Sequence, residues 1–460
     1  MIHLDENLMG PMCKATGALA LASVLALAGC GGGGAQSNAA PPTLSLMLFA
    51  ADDGATGIEL WKTDGSATGT SLVKDINPGA GNSFPGGSGL FPSEFVFFNG
   101  AWFFSADDGT GPELWKSDGT QSGTTVRVTA AVSSPREFTV LGNALYFSAD
   151  EGLIGRELWK TDGTGAGTVR VGAVSLVSGL TVFNNVLYFS ASDGITGIEL
   201  WKSDGTALGT VQVKDINPAG DSSPSGFKVF NNALYFSAND GATGFELWKT
   251  DGGGTALVMD INLLGDSSPS GLTVFNNALY FSADDGITGF ELWKTDVAGS
   301  TVQVKNINPT ADSSPLGFTV FNNALYFSAD DGTGVELWKS NGTGLGTVRV
   351  KDINPSAGSL VSGLTVFNNA LYFSADDGMS GFELWKSDGT DVGTVRVKDI
   401  NATPGASSSP NALTVLNNAL LFSADDGVTG RELWRTDGTG AGTMRVKDIC
   451  PMVCDGVPFR

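Results

Sequence analysis

Paired carboxylates recur along this chain at a spacing that could bind a metal ion. They belong to Asp-Asp-Gly segments, and clustered carboxylates with nearby backbone carbonyls are the oxygen ligands that Ca²⁺ prefers. Their spacing matches neither an EF-hand loop nor a Gly-Gly-x-Gly-x-Asp repeat, so turn formation by aspartate in a solvated loop is the alternative role. The candidate Ca²⁺ ligands are Asp53, Asp108, Asp285, Asp331, Asp377 and Asp426.

A second recurring group is the tripeptide Glu-Leu-Trp, which occurs nine times at intervals of 42 to 54 residues. On a strand its Glu and Trp share one face. A ring of exposed tryptophans could stack on sugars, whereas buried ones would pack between repeats, with each Glu accepting hydrogen bonds from a neighbouring repeat. A residue needed once in every repeat favours the packing role. The nine pairs are Glu59 and Trp61, Glu113 and Trp115, Glu157 and Trp159, Glu199 and Trp201, Glu246 and Trp248, Glu291 and Trp293, Glu336 and Trp338, Glu383 and Trp385, and Glu432 and Trp434.

Carboxylates can also hydrolyse glycosides, with one acting as acid and a second as base or nucleophile. Catalysis of that kind needs one pair whose two environments differ, but here the carboxylates recur almost unchanged. The singular features are an insertion over residues 79–97 with Glu94, and the dipeptide Arg136-Glu137. We therefore predict a protein without catalytic residues, and keep a carbohydrate-active hydrolase or lyase using Asp and Glu as the alternative.

Composition excludes further classes. The chain has 26 basic and 48 acidic residues and a net charge of −22, which argues against nucleic-acid binding and against attraction to anionic lipid headgroups. Its single histidine, His3, lies in a segment that we expect to be absent from the mature protein. A Ser-His-Asp triad and a histidine-ligated zinc site are therefore excluded for that mature protein.

The elements that position these groups are short strands. A representative repeat, residues 271–307, contains four apolar runs rich in β-branched and aromatic residues, and Asn, Asp, Gly or Pro bound each run. Asn-Asn predicts a tight hairpin between the first two strands. Asp-Asp-Gly-x-x-Gly joins the second strand to the third, Asp-Gly-Thr-x-x-Gly-Thr joins the third to the fourth, and a loop of about ten residues follows.

Three hairpins and one long crossover describe a four-stranded antiparallel blade. Residues 44–450 are therefore predicted to form an all-β fold, a β-propeller of about nine four-stranded antiparallel blades, with an open β-repeat array as the alternative. Ring closure is the weak point, because the array begins at a second strand and only Val457-Pro458-Phe459 follow its last crossover. If that segment does not dock, the ring has a three-stranded seam.

The N-terminus has the pattern of an export signal. Lys14 precedes an apolar run that ends in Leu-Ala-Gly-Cys at Cys30, which closely resembles a bacterial lipobox. We predict a lipoprotein signal peptide over residues 1–30 with its true start possible at Met12, lipidation of Cys30, and a flexible tether over residues 31–43. In the tail, residues 451–460, an oxidising compartment permits Cys450 and Cys454 to form a disulfide.

The repeat unit resembles that of a known family. Glu-Leu-Trp-x-x-Asp-Gly-Thr is unbroken in five copies, and four further copies are variants. This pattern is similar to the bacterial ELWxxDGT-repeat family of exported, often hyalin-like, surface proteins, over residues 44–450. The resemblance implies export, repeats and a β-propeller. It brings no established activity and therefore no catalytic residues. The five unbroken copies span residues 113–120, 157–164, 199–206, 383–390 and 432–439.

Together these observations predict a non-catalytic lipoprotein of the bacterial cell envelope, at the outer membrane or cell surface. Its repeats would form a monomeric binding or adhesion scaffold for an extracellular protein or glycan, with Ca²⁺ as the candidate cofactor. The lipid anchor would supply its contact with the membrane, and we expect no nucleic-acid partner. A purely structural envelope protein is the remaining alternative.

Overall fold

The computed structural model describes residues 46–84, 95–124, 126–129, 132–152, 155–451 and 456–457. Backbone contacts divide the chain into one unit of residues 1–37 and a second of residues 38–460. The predicted signal peptide with Cys30, the whole of the tether and Glu94 lie outside the described residues. Within the described part, the second unit consists of strands and turns, and no helix there could span a membrane.

The strands form nine antiparallel sheets that follow one another in chain order. We call them blades 1 to 9. Blade 1 contains β1 (Met47–Asp52), β2 (Ile58–Thr63) and β3 (Ser71–Lys74). Blade 2 contains β4 (Val96–Phe98), β5 (Ala101–Asp107), β6 (Pro112–Ser117) and β7 (Val126–Thr129). Blade 3 contains β8 (Ser133–Leu141), β9 (Ala144–Asp150), β10 (Arg156–Thr161) and β11 (Val169–Arg170).

Blades 4 to 9 repeat the same four-stranded order. Blade 4 contains β12 (Ser175–Phe183), β13 (Val186–Ser192), β14 (Ile198–Ser203) and β15 (Val211–Lys214). Blade 5 contains β16 (Ser225–Phe230), β17 (Ala233–Asn239), β18 (Phe245–Thr250) and β19 (Thr255–Met259). Blade 6 contains β20 (Ser270–Phe275), β21 (Ala278–Asp284), β22 (Phe290–Asp296) and β23 (Thr301–Lys305).

The last three blades complete the series. Blade 7 contains β24 (Leu316–Phe321), β25 (Ala324–Asp330), β26 (Val335–Ser340) and β27 (Val348–Lys351). Blade 8 contains β28 (Ser362–Phe367), β29 (Ala370–Asp376), β30 (Phe382–Ser387) and β31 (Val395–Lys398). Blade 9 contains β32 (Asn411–Leu416), β33 (Ala419–Asp425), β34 (Arg431–Thr436) and β35 (Met444–Lys447). The prediction of a nine-bladed β-propeller is therefore confirmed.

Local sequence explains each blade. Asn-Asn forms the predicted tight hairpin between the first two strands, and in blade 6 both Asn276 and Asn277 have positive φ, at 45° and 58°, as a type I′ turn requires. The second strand carries Leu-Tyr-Phe-Ser-Ala, and β21 is buried on both faces from Ala278 to Ala283. Only a strand covered on both sides by neighbouring blades can bury such a continuous run.

Packing between successive blades forms the core. Between blades 5 and 6, for example, Leu247 of the first packs with Phe281 and Trp293 of the second. Charged side chains also cross the interface: Lys160 of blade 3 donates to the carbonyl oxygen of Gly205 in blade 4 at 2.8 Å. Because each blade contacts only its neighbours, its stability depends on the interfaces at its two sides.

The ring closes between blades 9 and 1. Phe49, Ala51 and Trp61 of blade 1 share a buried cluster with Leu421 and Leu433 of blade 9. The cross-blade hydrogen bonds are also repeated at this seam. Their atom pairs are Arg435 Nη1 to the Gly65 oxygen at 3.1 Å and Lys447 Nζ to the Thr70 oxygen at 2.8 Å.

Residues 456–457 complete the closure. Blade 1 has three strands within the described residues, as the missing first strand predicts. The Asp52 N–H donates to the Gly456 carbonyl at 2.9 Å, and the Val457 N–H donates to the Arg431 carbonyl at 3.1 Å. Crossovers elsewhere make the same two bonds, so this C-terminal segment takes the place of a crossover. Cys450 is buried and disulfide-bonded, and its predicted partner Cys454 lies outside the described residues.

We expect Val457→Asp to lower the thermal unfolding midpoint strongly. Val457 is 0% exposed at the seam between blades 9 and 1, and an unpaired charge there costs about 3 kcal/mol. Differential scanning calorimetry of the variant and of Val428→Asp, whose side chain is 73% exposed, measures the effect. Equal midpoints for the two variants would contradict the closing role of Val457.

Candidate functional site

In blades 1 and 4 to 9 the buried glutamate of Glu-Leu-Trp organises the connection to the next blade, whereas in blade 3 Glu157 accepts from Arg170. In blade 4, the Glu199 carboxylate accepts hydrogen bonds from the Ile216 N–H at 2.7 Å and from the Ser222 hydroxyl at 2.6 Å. Ser222 then accepts, through its carbonyl, from the Asn239 N–H of blade 5. The expected donors were groups of a neighbouring repeat, but the observed donors lie in the crossover that leaves the same repeat. The crossover in turn forms a hydrogen bond with the neighbouring blade through the Ser222 carbonyl.

Burial raises the pKa of the Glu-Leu-Trp glutamates of blades 1 and 4 to 9. The pKa of Glu59 rises from 4.5 to about 7 because burial disfavours its charged form, although hydrogen bonds from Ser83 and Ile76 oppose the rise. The pKa of Glu432 also rises to about 7, mainly through burial. A Cβ on Gly456 would collide with the Glu432 carboxylate, and Gly456 takes the position where the other crossovers have a serine. Without a serine hydroxyl at this position, the Glu432 carboxylate accepts from the Ile449 and Cys450 N–H groups.

The nine tryptophans lie between blades. Their side chains are only 4% to 8% exposed, so their faces are not available for stacking on a sugar. A lysine of the preceding blade lies over several of the rings; Lys214 Nζ, for example, is 5.1 Å from the centroid of Trp248. The indole N–H groups are buried and have no hydrogen-bond partner within the described residues.

The aspartates predicted as Ca²⁺ ligands form turns. Asp53 Oδ1 accepts from the Ala55 N–H at 2.9 Å, the Thr56 N–H at 2.8 Å and the Thr56 hydroxyl at 3.0 Å. Burial alone would raise the pKa of Asp53, but these hydrogen bonds hold it below its ordinary value. Asp285, Asp377 and Asp426 accept the same set of bonds in their own turns.

The remaining oxygens of several of these aspartates face arginines. Asp331 lies 3.5 Å from Arg349, and Asp426 lies 3.8 Å from Arg445. Asp108 occupies the shorter turn of blade 2, where it accepts from Thr110. Among the residues that the structure describes, no three Asp, Glu, His or Cys side chains form a group that could hold a metal ion. Ca²⁺ binding remains a prediction from sequence.

Exposed apolar side chains lie beside these acidic turns. We call the rim formed by the Asp-Asp-Gly turns and the crossovers the turn rim. Between blades 5 and 6 it carries Leu263, Leu264 and Ile287, which are 79%, 94% and 88% exposed. The two loops touch, because a Cβ on Gly286 would collide with the Asn262 side chain. We call these three residues the apolar patch.

Sequence reasoning missed the apolar patch, although a signal was available. Four other crossovers read Asn-Pro after the fourth strand, as at Asn217-Pro218, whereas this crossover reads Asn262-Leu263-Leu264. The two leucines depart from the repeat, and their side chains have no role in forming the turn. The structure adds that both leucines point to solvent.

The first strands of blades 3 to 9 line a central channel with a volume of about 1060 Å³. Its wall repeats a glycine, an apolar residue and a threonine, as in Gly271-Leu272-Thr273. Two ionisable side chains interrupt this pattern in the described wall, Glu137 in blade 3 and Lys228 in blade 5. The sequence identifies Arg136-Glu137 as a departure from the repeat but does not predict its position in the channel. Sequence reasoning missed Lys228.

Comparisons with known proteins find similar solved structures but no matching family model and no curated relative. Among solved structures, a computationally designed protein named Ika8 is 19% identical with a TM-score of 0.43, covering 76% of this chain and 96% of its own. A prolyl endopeptidase is 14% identical (TM-score 0.42, 66% of this chain), and a puromycin hydrolase is 11% identical (TM-score 0.38, 72% of this chain). The chain spans 48% and 57% of the lengths of these two hydrolases.

The raised glutamate pKa values predict a specific pH dependence of stability. A carboxyl whose folded-state pKa lies above its unfolded value binds its proton more tightly when folded. Its contribution is therefore complete below the ordinary value of 4.5 and is lost as the pH rises to about 7. The double variant Glu59→Gln/Glu432→Gln should show a shallower fall in unfolding free energy over this range, measured by denaturant titration at each pH.

Asp162→Asn is the matched control. Hydrogen bonds from Thr164 lower the pKa of Asp162, so its contribution changes only at pH values below that range. The slope of this control between pH 4.5 and 7 should equal that of the unchanged protein. An unchanged slope in the double glutamate variant would contradict the assignment, whatever its absolute stability.

Proposed function

We propose that this protein is an exported, lipid-anchored scaffold that binds an extracellular protein through its turn rim. The observation that carries the proposal is the apolar patch on a rigid ring. Leu263 and Leu264 contribute to no buried cluster of the described residues, and the turn around Ile287 is formed by Asp285 and Thr288 instead. Loops held by a rigid frame are where binding residues concentrate.

The surroundings of the patch favour a partner with basic groups. Asp266 and Asp285 flank the patch on the crossover and on the turn, and the whole chain carries a net charge of −22. An apolar surface edged by acidic side chains complements a protein surface with an apolar centre and lysine or arginine at its margin. A rim of nearly equivalent turns offers no singular pair of carboxylates for catalysis.

The sequence supports the cellular address in this proposal. The Leu-Ala-Gly-Cys segment ending at Cys30 supports lipidation, and residues 31–43 would serve as the tether. The nine Glu-Leu-Trp motifs support membership of the ELWxxDGT-repeat family, which we propose on the repeat pattern alone.

We expect Leu263→Ser/Leu264→Ser/Ile287→Ser to weaken partner binding without loss of stability, since all three side chains are exposed. Partners are captured from the cell envelope of an expressing bacterium, identified by mass spectrometry, purified, and titrated by calorimetry. The loss of the buried apolar area should weaken binding at least about tenfold.

The matched control is Leu208→Ser/Leu345→Ser/Val392→Ser, which removes three side chains of similar exposure from the hairpins of the opposite rim. A genuine partner binds this control as tightly as the unchanged protein. Equal affinities for both triple variants, or no partner captured by the unchanged protein, would overturn the proposal.

Lipidation is tested separately. Metabolic labelling with a fatty-acid analogue should mark the protein, and Cys30→Ser should remove the label and release the protein from the membrane fraction. Cys13→Ser is the control, because Cys13 precedes the apolar run of the signal and should leave the label unchanged. Labelling that survives Cys30→Ser would show that the anchor is elsewhere.

A further inference from the structure

We propose that the central channel contains an anion site, in which the backbone N–H groups of blades 5 to 8 and Lys228 bind the carboxylate group of a ligand. This site goes beyond the proposed function, because it lies on the channel wall and not on the turn rim.

In blades 3 to 9 the first strand contains a β-bulge. In blade 5 the register moves from Ser225 opposite Ser237 to Lys228 opposite Tyr235, which leaves one extra residue on the inner strand. The bulge residue Gly226 has φ of 67°, a conformation that glycine adopts without strain. Its counterparts have φ values of 69°, 69° and 70° and are Gly271, Gly317 and Gly363.

Blade 3 shows what the bulge amide can bind. There the bulge residue is Glu137, with φ of 57°, and its carboxylate accepts a hydrogen bond of 2.6 Å from the N–H of Gly179, the bulge residue of blade 4. The chain thus places its own carboxylate on one bulge amide. In blade 9 a side-chain oxygen has a similar role, since Asn411 Oδ1 accepts from the Ala412 N–H at 2.7 Å.

Blades 5 to 8 have the same bulge without a carboxylate. Their bulge residues are glycines, so no side chain from the preceding blade can reach the next amide as Glu137 does. All four glycines are exposed to the channel. They are equivalent to Gly179, whose N–H meets the Glu137 carboxylate, and this equivalence places their N–H groups as donors along the channel wall. Successive backbone N–H groups that face one concavity favour an anion.

Lys228 supplies the charge. It replaces the threonine found at the same position of the other described channel strands, such as Thr181 and Thr273, and it follows Gly226 by two residues in blade 5. It is half-buried, and no described carboxylate forms an ion pair with it. A lysine beside backbone donors is the usual combination for binding a carboxylate by charge-assisted hydrogen bonds.

The remaining wall describes the rest of the ligand. The apolar residue of each blade covers the bulge glycine of the preceding blade; the Phe318 ring, for example, lies where a Cβ on Gly271 would be. Phe227, Phe318 and Leu364 are only partly buried. The ligand is therefore a carboxylate attached to an apolar or ring-shaped body, for which benzoate and galacturonate are suitable probes.

The test uses the full protein labelled with ¹⁵N-glycine and titrated with benzoate and, separately, with galacturonate. At least one probe should shift the amide resonances of Gly226 and Gly271 in a saturable manner. Lys228→Thr restores the residue of the other blades, so it should fold normally. It should weaken binding about tenfold, as the loss of one charge-assisted hydrogen bond does.

A second variant copies blade 3. Gly226→Glu should place a carboxylate on the Gly271 amide and abolish probe binding, and a Cβ at this position meets only Leu272 at 3.8 Å. Lys202→Thr, which removes a lysine from the third strand of blade 4 outside the channel, should leave the affinity unchanged. Unmoved glycine resonances with both probes at tens of millimolar, or equal affinities in all variants, would overturn the proposal. These results are independent of partner binding at the turn rim.

Discussion

The fold depends on a carboxylate removed from water in every repeat. A buried carboxylate is costly unless donors surround it, and here the donors lie at the end of the fourth strand and in the crossover. The Glu-Leu-Trp strand therefore fixes the path by which the chain leaves its blade. In blade 4, for example, Ser222 also bonds the next blade through its carbonyl, so the Glu199 side chain sets the step from this blade to the next.

Much of this architecture could be predicted from the sequence because its signals are local. Asn-Asn hairpins, aspartate turns and apolar strands each depend on residues near one another, and nine copies reinforce the pattern. The donors to the glutamate were assigned to the wrong segment, since hydrogen-bond partners more than fifteen residues apart cannot be read from a strand pattern. The sequence could not predict how the ring closes for the same reason, because Gly456 and Val457 dock on residues near both ends of the array.

The candidate site was less predictable than the fold. Repetition drew attention to the aspartates and tryptophans, which the structure places in turns and between blades. The residues that set one blade apart are departures from the repeat, such as Leu263, Leu264 and Lys228. In an array of near-identical units, a residue shared by every unit stabilises the unit itself. A residue found in only one unit is not explained by that structural role. Exceptions were visible in the sequence, but their exposure and their position on the rim or the channel required the fold.

The docking of residues 456–457 has a consequence for how the protein is made. Eight blade interfaces can form in order as the chain emerges, but the ninth needs the last residues of the array. Until they arrive, the apolar cluster between blades 9 and 1 lacks Val457 and stays partly uncovered. The chain therefore keeps this apolar surface exposed until residues 456–457 have been added. During that interval the surface is open to contacts with other chains.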